Sequence, residues 1–331
     1  MKKEPKGKSI MRGINDELAK AFKECELYKL YEKNKDELFI GVRNNYLNLY
    51  YNCDSIAKVK YIQPKGEKGK RIVCEIDKYY IDGDNSADKR RDPKEICSKY
   101  GAIKTRSDNK EKDNPEKKAQ SKLVISNNNN EKSNWFCIDI EYIKQFNNNI
   151  EKEKANINGR FDIIAISKEQ PHRVALIELK YGSGAIGGKS GIYKHIKDFI
   201  KFKEKELFEN HLKQEIIDII KSQKAIGISV PFDISKKAKL VGPDFFVITL
   251  NNNPEKVNGS TPKQTMAGYL FKDKNRWTCK RQSKYCIEKE FGIDVTKKNN
   301  ELYVKFLFSA ATHENGGIEK IIDILDENNY E

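Results

Sequence analysis

The tightest constraint on this chain lies in one stretch, 159–180, which reads GRFDIIAISKEQPHRVALIELK. Residues 161–167 and 173–180 are apolar runs, and the polar link 168–172 contains a proline, which suits a hairpin turn between two strands. Side chains alternate faces along a strand, so Glu178 and Lys180 point the same way and Leu179 points the other. In an antiparallel hairpin the start of the first strand lies beside the end of the second, which brings Asp162 next to Glu178. Two carboxylates and a lysine on otherwise apolar strands form a site for a divalent metal and a phosphate.

The motif D-x15-E-x-K, carried by Asp162, Glu178 and Lys180 on consecutive apolar strands, resembles that of the PD-(D/E)xK nucleases. The proline usual before the aspartate is replaced here by Phe161. The resemblance spans roughly residues 135–250. It implies an α/β fold with a restriction-endonuclease-like core, a mixed central sheet flanked by helices, here preceded by a β-rich N-terminal region. It also implies that Asp162 and Glu178 bind magnesium, with manganese as the alternative, and that Lys180 positions or activates the attacking water. Some members place an extra acidic ligand upstream of the aspartate. In the run 135–146, Asp139 and Glu141 alternate with apolar residues and so share one face of the preceding strand; either could be that extra metal ligand, with Glu141 the named candidate. A helix is expected after the E-x-K strand, and His195 is its candidate catalytic residue.

Composition agrees with a polyanionic partner. The 331-residue chain carries a formal net charge of +14, with 34% charged and 37% hydrophobic residues, and a strong basic balance favours nucleic acid. No apolar run approaches the ~20 residues that span a membrane, and the N-terminus lacks the apolar core of a secretory signal. The seven cysteines are scattered and none forms a CxxC pair, which fits reduced thiols and a cytoplasmic location. The expected activity is metal-dependent hydrolysis of phosphodiester bonds in DNA, most readily double-stranded DNA, by a restriction or phage-defence endonuclease. A homodimer would deliver two such sites to a duplex. The alternative is a nucleic-acid-binding protein of the same fold without catalysis.

Three regions follow from the punctuation of the chain. Residues 1–81 read as a helix over 13–35 and an antiparallel meander, with strands at 38–43, 46–51, 57–62 and 71–81. Its tyrosines are interleaved with basic residues, among them Arg43, Lys60 and Arg71, a pattern that can stack bases and hold phosphates. Residues 82–134 are sparse in apolar side chains and read as a flexible polar linker or insertion, with a short strand at 122–126. Residues 135–331 read as the nuclease domain with a C-terminal β extension. Within it the loop YGSGAIGGKS, at 181–190, ends in Gly-Lys-Ser, but position 183 is serine where a phosphate-binding loop needs glycine, so nucleotide binding is disfavoured. Ser190 suits an N-cap for the next helix. Lys189 and Lys194 near that helix, and Arg276, Lys280 and Arg281 in a basic stretch with Trp277, are candidate nucleic-acid contacts. Further strands are expected at 225–230, 245–250, 268–271 and 303–309, and a final helix at 318–327.

Overall fold

The computed structural model describes residues 12–66, 68–83, 90–110, 115–143, 159–182, 185, 192–251, 277–278, 290–296, 300–314 and 316–330. The architecture is mixed α/β, with two sheets and helices packed against both. The chain opens on α1 (Asp16–Glu24) and α2 (Glu26–Lys33). The sequence pattern suggests one helix here, but Cys25 takes an extended backbone (φ −91°, ψ 162°) and divides it. Asn15 caps α1 by accepting a hydrogen bond from the Leu18 amide at 2.9 Å.

Strands β1 (Leu38–Val42), β2 (Leu47–Tyr51), β3 (Asp54–Ile62), β4 (Arg71–Glu75) and β5 (Arg90–Arg91) form a five-stranded antiparallel sheet in chain order. The fourth strand stops earlier than the apolar pattern suggests. Asp77 caps a short helix, α3 (Lys78–Ile81), by accepting from the Tyr79 amide.

Residues 82–134 depart most from expectation. In place of a flexible linker with a short strand, they hold α4 (Pro93–Ser98), α5 (Tyr100–Lys110) and α6 (Pro115–Asn128). Helix α6 buries Ala119, Leu123 and Val124. Its polar residues do structural service as well. Asn127 Nδ2 donates to the Trp135 carbonyl at 3.0 Å, while Asn128 both donates to the Cys137 carbonyl and accepts from the Cys137 amide, each at 2.8 Å. The hydrogen bonds these amides make offset the cost of taking them out of water, so a polar composition is compatible with a packed helix here.

The second sheet contains β6 (Trp135–Ile143), β7 (Arg160–Ser167), β8 (His172–Tyr181), β9 (Leu240–Leu250), β10 (Trp277–Thr278), β11 (Glu290–Thr296) and β12 (Asn300–Phe308). Its strand order is β10-β11-β12-β9-β8-β7-β6. Strands β6, β7 and β8 run antiparallel, whereas β8, β9 and β12 are parallel neighbours. A parallel β8–β9 pair requires a crossover. It is made by α7 (Ile192–Glu204), a π-helical turn (Phe208–Leu212) and α8 (Lys213–Ala225).

The strand expected at 225–230 is absent. There α8 ends in a Schellman turn, with the Gly227 amide donating to Lys224 O and the Ile228 amide to Gln223 O. The turn needs a left-handed residue, and Gly227 supplies it with φ +89°. The expected C-terminal helix reduces to two 3-10 turns, Ile318–Lys320 and Glu327–Asn329. The strand expected at 268–271 and the N-cap at Ser190 lie outside the described residues.

One hydrophobic core joins the two sheets. It runs without interruption from α1 and β1–β4 through Phe136, Leu176 and Phe245 of the second sheet to α7 and α8. A second core lies under α6 and includes Ile163, Ile177 and Leu179, with Ile318, Ile321 and Ile324 from the C-terminal turns. Cys25, Cys53, Cys74, Cys97 and Cys137 are free thiols. Among the described residues no helix is long and apolar enough to cross a membrane.

Candidate active site

Three adjacent strands bring the acidic side chains together. The last β7–β8 pair is Ile163 with Ile177, so Asp162 and Glu178 occupy the next position along the hairpin. The carboxylate of Asp162 is fastened to the neighbouring strand by a 2.7 Å hydrogen bond from the Leu179 amide to Oδ2. On the other side, the pairs Ile140–Ile163 and Tyr142–Phe161 bracket Glu141 and Asp162. Glu141, Asp162 and Glu178 thus follow one another across β6, β7 and β8.

The amine of Lys180 lies 2.6 Å from Glu178 Oε1, and His195 Nε2 on α7 lies 2.9 Å from the same oxygen. Ile177 and Leu179 pack into the core under α6, which leaves Glu178 and Lys180 facing the side from which α7 delivers His195. Helix α6 closes the group from its N-terminal turn. Glu116 Oε1 is 3.7 Å from Lys180 Nζ, Glu116 Oε2 accepts from the Tyr181 amide at 3.3 Å, and Gln120 Nε2 donates to the Asp162 carbonyl at 2.7 Å. Sequence reasoning missed these α6 residues. The available signal was Pro115 followed by Glu116, a helix-start pattern.

The electrostatics follow from this crowding. Burial raises the Asp162 pKa well above the usual carboxylate range, Glu178 and Glu141 raise it further, and Lys180 and the Leu179 amide oppose them. Burial pushes Glu178 up to about 7 against the pull of Lys180, with Glu116 and Glu141 adding to the rise. Burial works against the charge on Lys180, but Glu178, Asp162 and Glu116 outweigh it and the amine stays protonated. Burial also raises Glu141, offset in part by Lys117 and Gln120.

Among the described residues no group of three or more His, Cys, Asp and Glu side chains is disposed to hold a metal ion. A magnesium site needs only one or two carboxylates, with waters and a substrate phosphate completing the shell. Asp162 and Glu178 fit that smaller donor set.

A pH dependence follows. A carboxylate raised in the folded state contributes stability that is present below the unfolded pKa and is lost as pH rises through the folded one. For Glu178 that window runs from 4.5 to about 7, which is worth about 3 kcal/mol. Glu178→Gln cannot ionise. Its unfolding free energy in urea, relative to wild type, is expected to shift in its favour by about 3 kcal/mol between roughly pH 4 and pH 8. A difference that stays constant with pH would remove this account of the site.

Other candidates fall elsewhere. Asp139 and Glu141 do not share a face. Register shifts between Cys137 and Asp139, and Glu141 adopts φ +51°, a left-handed backbone uncommon outside glycine. Asp139 is fully buried against Arg43 Nη1 at 2.6 Å and Arg12 Nη1 at 3.7 Å. Arg43 is therefore a buried structural cation and not a nucleic-acid contact. Its other partners are the carbonyls of Val42 and Ile140 and the Tyr50 hydroxyl. Lys60 pairs with Glu75 at 2.6 Å, and Arg71 lies 4.0 Å from Asp92. Of the interleaved tyrosines, Tyr50, Tyr51 and Tyr80 are buried. Lys194 is exposed on α7. Lys189, Arg276, Lys280 and Arg281 lie outside the described residues.

No protein-family model matches the chain, and no significant match is found among curated proteins or solved structures.

Proposed function

We propose that the chain is a metal-dependent nuclease that hydrolyses phosphodiester bonds of DNA. The observation that carries this reading is the convergence of Asp162, Glu178 and Lys180 at one end of a mixed sheet, with the amine of Lys180 2.6 Å from Glu178. The order of elements supports it: three antiparallel strands, a helical crossover, and a fourth strand parallel to the third. In this reading Asp162 and Glu178 hold the divalent cation. When bound, that cation neutralises charge on the scissile phosphate and acidifies water.

The chain's own groups do the rest. Lys180, kept charged by its carboxylate neighbours, orients the nucleophile and steadies the negative charge that builds on the phosphate. Glu116 holds the Lys180 amine from the α6 side. His195, with Nε2 2.9 Å from Glu178 Oε1, orients that carboxylate from the α7 side. The excess of lysine and arginine supplies the sequence-independent attraction to phosphates.

One observation favours a second reading. Glu178 Oε1 is already engaged by both Lys180 and His195, as expected of a binding protein that keeps the fold without cleaving. Incubation with supercoiled plasmid, linear duplex and single-stranded substrates, in magnesium, manganese or EDTA, separates the two. Cleavage is expected with either metal and none in EDTA. DNA binding without cleavage in every metal would transfer the assignment to the second reading.

A further inference from the structure

Immediately beyond Lys180 the sheet opens into a cleft that the carboxylate cluster does not occupy. Tyr181 from β8, Asn251 at the end of β9, His313 from the segment after β12 and Lys118 on α6 are among its walls, around a volume of about 500 Å³. That lies within the ~300–1,000 Å³ range of ligand pockets. A second cavity, between α2, β1 and the end of α6, measures about 180 Å³ and falls below it.

The cleft is tied to the triad covalently and by a shared partner. Tyr181 follows Lys180 in the strand, so its ring turns to the opposite side, where it packs at the edge of the core under α6. The Glu116 carboxylate that reaches Lys180 also accepts from the Tyr181 amide. Tyr181 is held in place by His313, with the hydroxyl 2.8 Å from Nδ1 and the ring centroids 5.4 Å apart. Burial lowers the His313 pKa, which favours a neutral ring that can both donate and accept.

The charge of the lining selects among ligands. Lys118 is already paired with Asp108 at 3.4 Å, and Glu314 adds a second acid. Two carboxylates beside one lysine suit an uncharged base and sugar better than a free polyphosphate. Tyr181 offers a face for stacking, and Asn251 and His313 offer hydrogen-bonding groups.

We propose that this cleft receives one unstacked nucleotide of the strand being cut, the strand passing over the end of β8 from Lys180 on one face of the sheet to Tyr181 on the other. The proposal rests on the nuclease reading and extends it. A paired base must leave its duplex to enter, so single strands and mismatched sites are the preferred substrates.

The test uses the full-length protein and a fluorescein-labelled single-stranded oligodeoxynucleotide, with binding read by anisotropy in EDTA. Loss of a stacking ring commonly costs about tenfold or more in affinity. Tyr181→Ala is therefore expected to weaken binding about tenfold, and Tyr181→Phe to stay within about twofold of wild type. Asn251 has φ +52°, so Asn251→Gly removes the side chain and keeps the backbone. It is expected to weaken binding several-fold, and it decides the matter if Tyr181→Ala does not fold. In parallel, wild type with magnesium is expected to cut the single strand faster than the matched duplex. Binding that depends on Tyr181 without any cleavage would uphold the cleft and reject the nuclease. Cleavage combined with wild-type binding in both Tyr181→Ala and Asn251→Gly would do the reverse. Failure of wild type to bind the single strand overturns the proposal outright.

Discussion

Asp162→Asn is expected to lower metal-dependent cleavage by at least ~10³-fold, on the order of 4 kcal/mol of transition-state stabilisation, while leaving the protein folded. The asymmetry comes from what each oxygen does. Asp162 Oδ2 accepts from the Leu179 amide at 2.7 Å, and an asparagine carbonyl can accept the same bond, so the hairpin keeps its lock. What disappears is the negative charge, which is the part a divalent cation requires. The same substitution relieves the crowding with Glu178 and Glu141, so stability without metal is expected to hold or rise. Lys180→Ala should cost a comparable factor through loss of the charge beside the phosphate. Single-turnover cleavage, with circular dichroism as the folding control, checks all of this. Undiminished magnesium-dependent activity in Asp162→Asn would end the assignment of this cluster.

The second large effect concerns the fold. Arg43→Ala is expected to destabilise the protein by about 3–5 kcal/mol, the usual cost of breaking a buried ion pair from one side. Asp139 is fully buried. Without Arg43 its remaining cationic partner is Arg12 at 3.7 Å, and its Oδ2 already lacks a hydrogen bond. The loss would also take one of two donors from the Val42 carbonyl, leaving Arg12 at 3.3 Å, and remove the 2.7 Å bond to the Ile140 carbonyl. Arg43→Met with Asp139→Leu would strand the buried Arg12 guanidinium, whose carboxylate is Asp139 at 3.7 Å, so the double variant is not expected to recover the deficit. Urea denaturation of the single and double variants measures the difference. A cost below about 1 kcal/mol for Arg43→Ala would mean that the buried pair with Asp139 contributes no more than a surface ion pair.

What the sequence revealed and what it hid divide along physical lines. The hairpin that places Asp162 beside Glu178 was legible because strand alternation and a polar, proline-bearing turn are local properties. The helix carrying His195 was legible from its apolar stripe. Helix α6 was not. Its buried side includes Gln120, Ser121 and Asn127 beside Leu123 and Val124, so average polarity masked a packed element whose amides serve the backbone of β6. Unbroken alternation would put Asp139 and Glu141 on one face. The register shift and the left-handed backbone at Glu141 are tertiary outcomes that strict period-two counting cannot detect. In sequence, an arginine among tyrosines looks alike whether it faces a phosphate or, as Arg43 does, a buried aspartate.

The apolar interior that passes without a break from the first sheet to the second has a consequence for how such a chain can change over time. Proteins assembled from separable modules can trade one part for another. Here Leu38, Val42 and Val59 of the first sheet share one continuous core with Phe136, Leu176 and Phe245 of the second, so a foreign first half would present the wrong shapes to the remainder. Diversity in whatever the amino-terminal sheet touches must therefore arise at its outward loops and rim, one substitution at a time, and not by wholesale exchange.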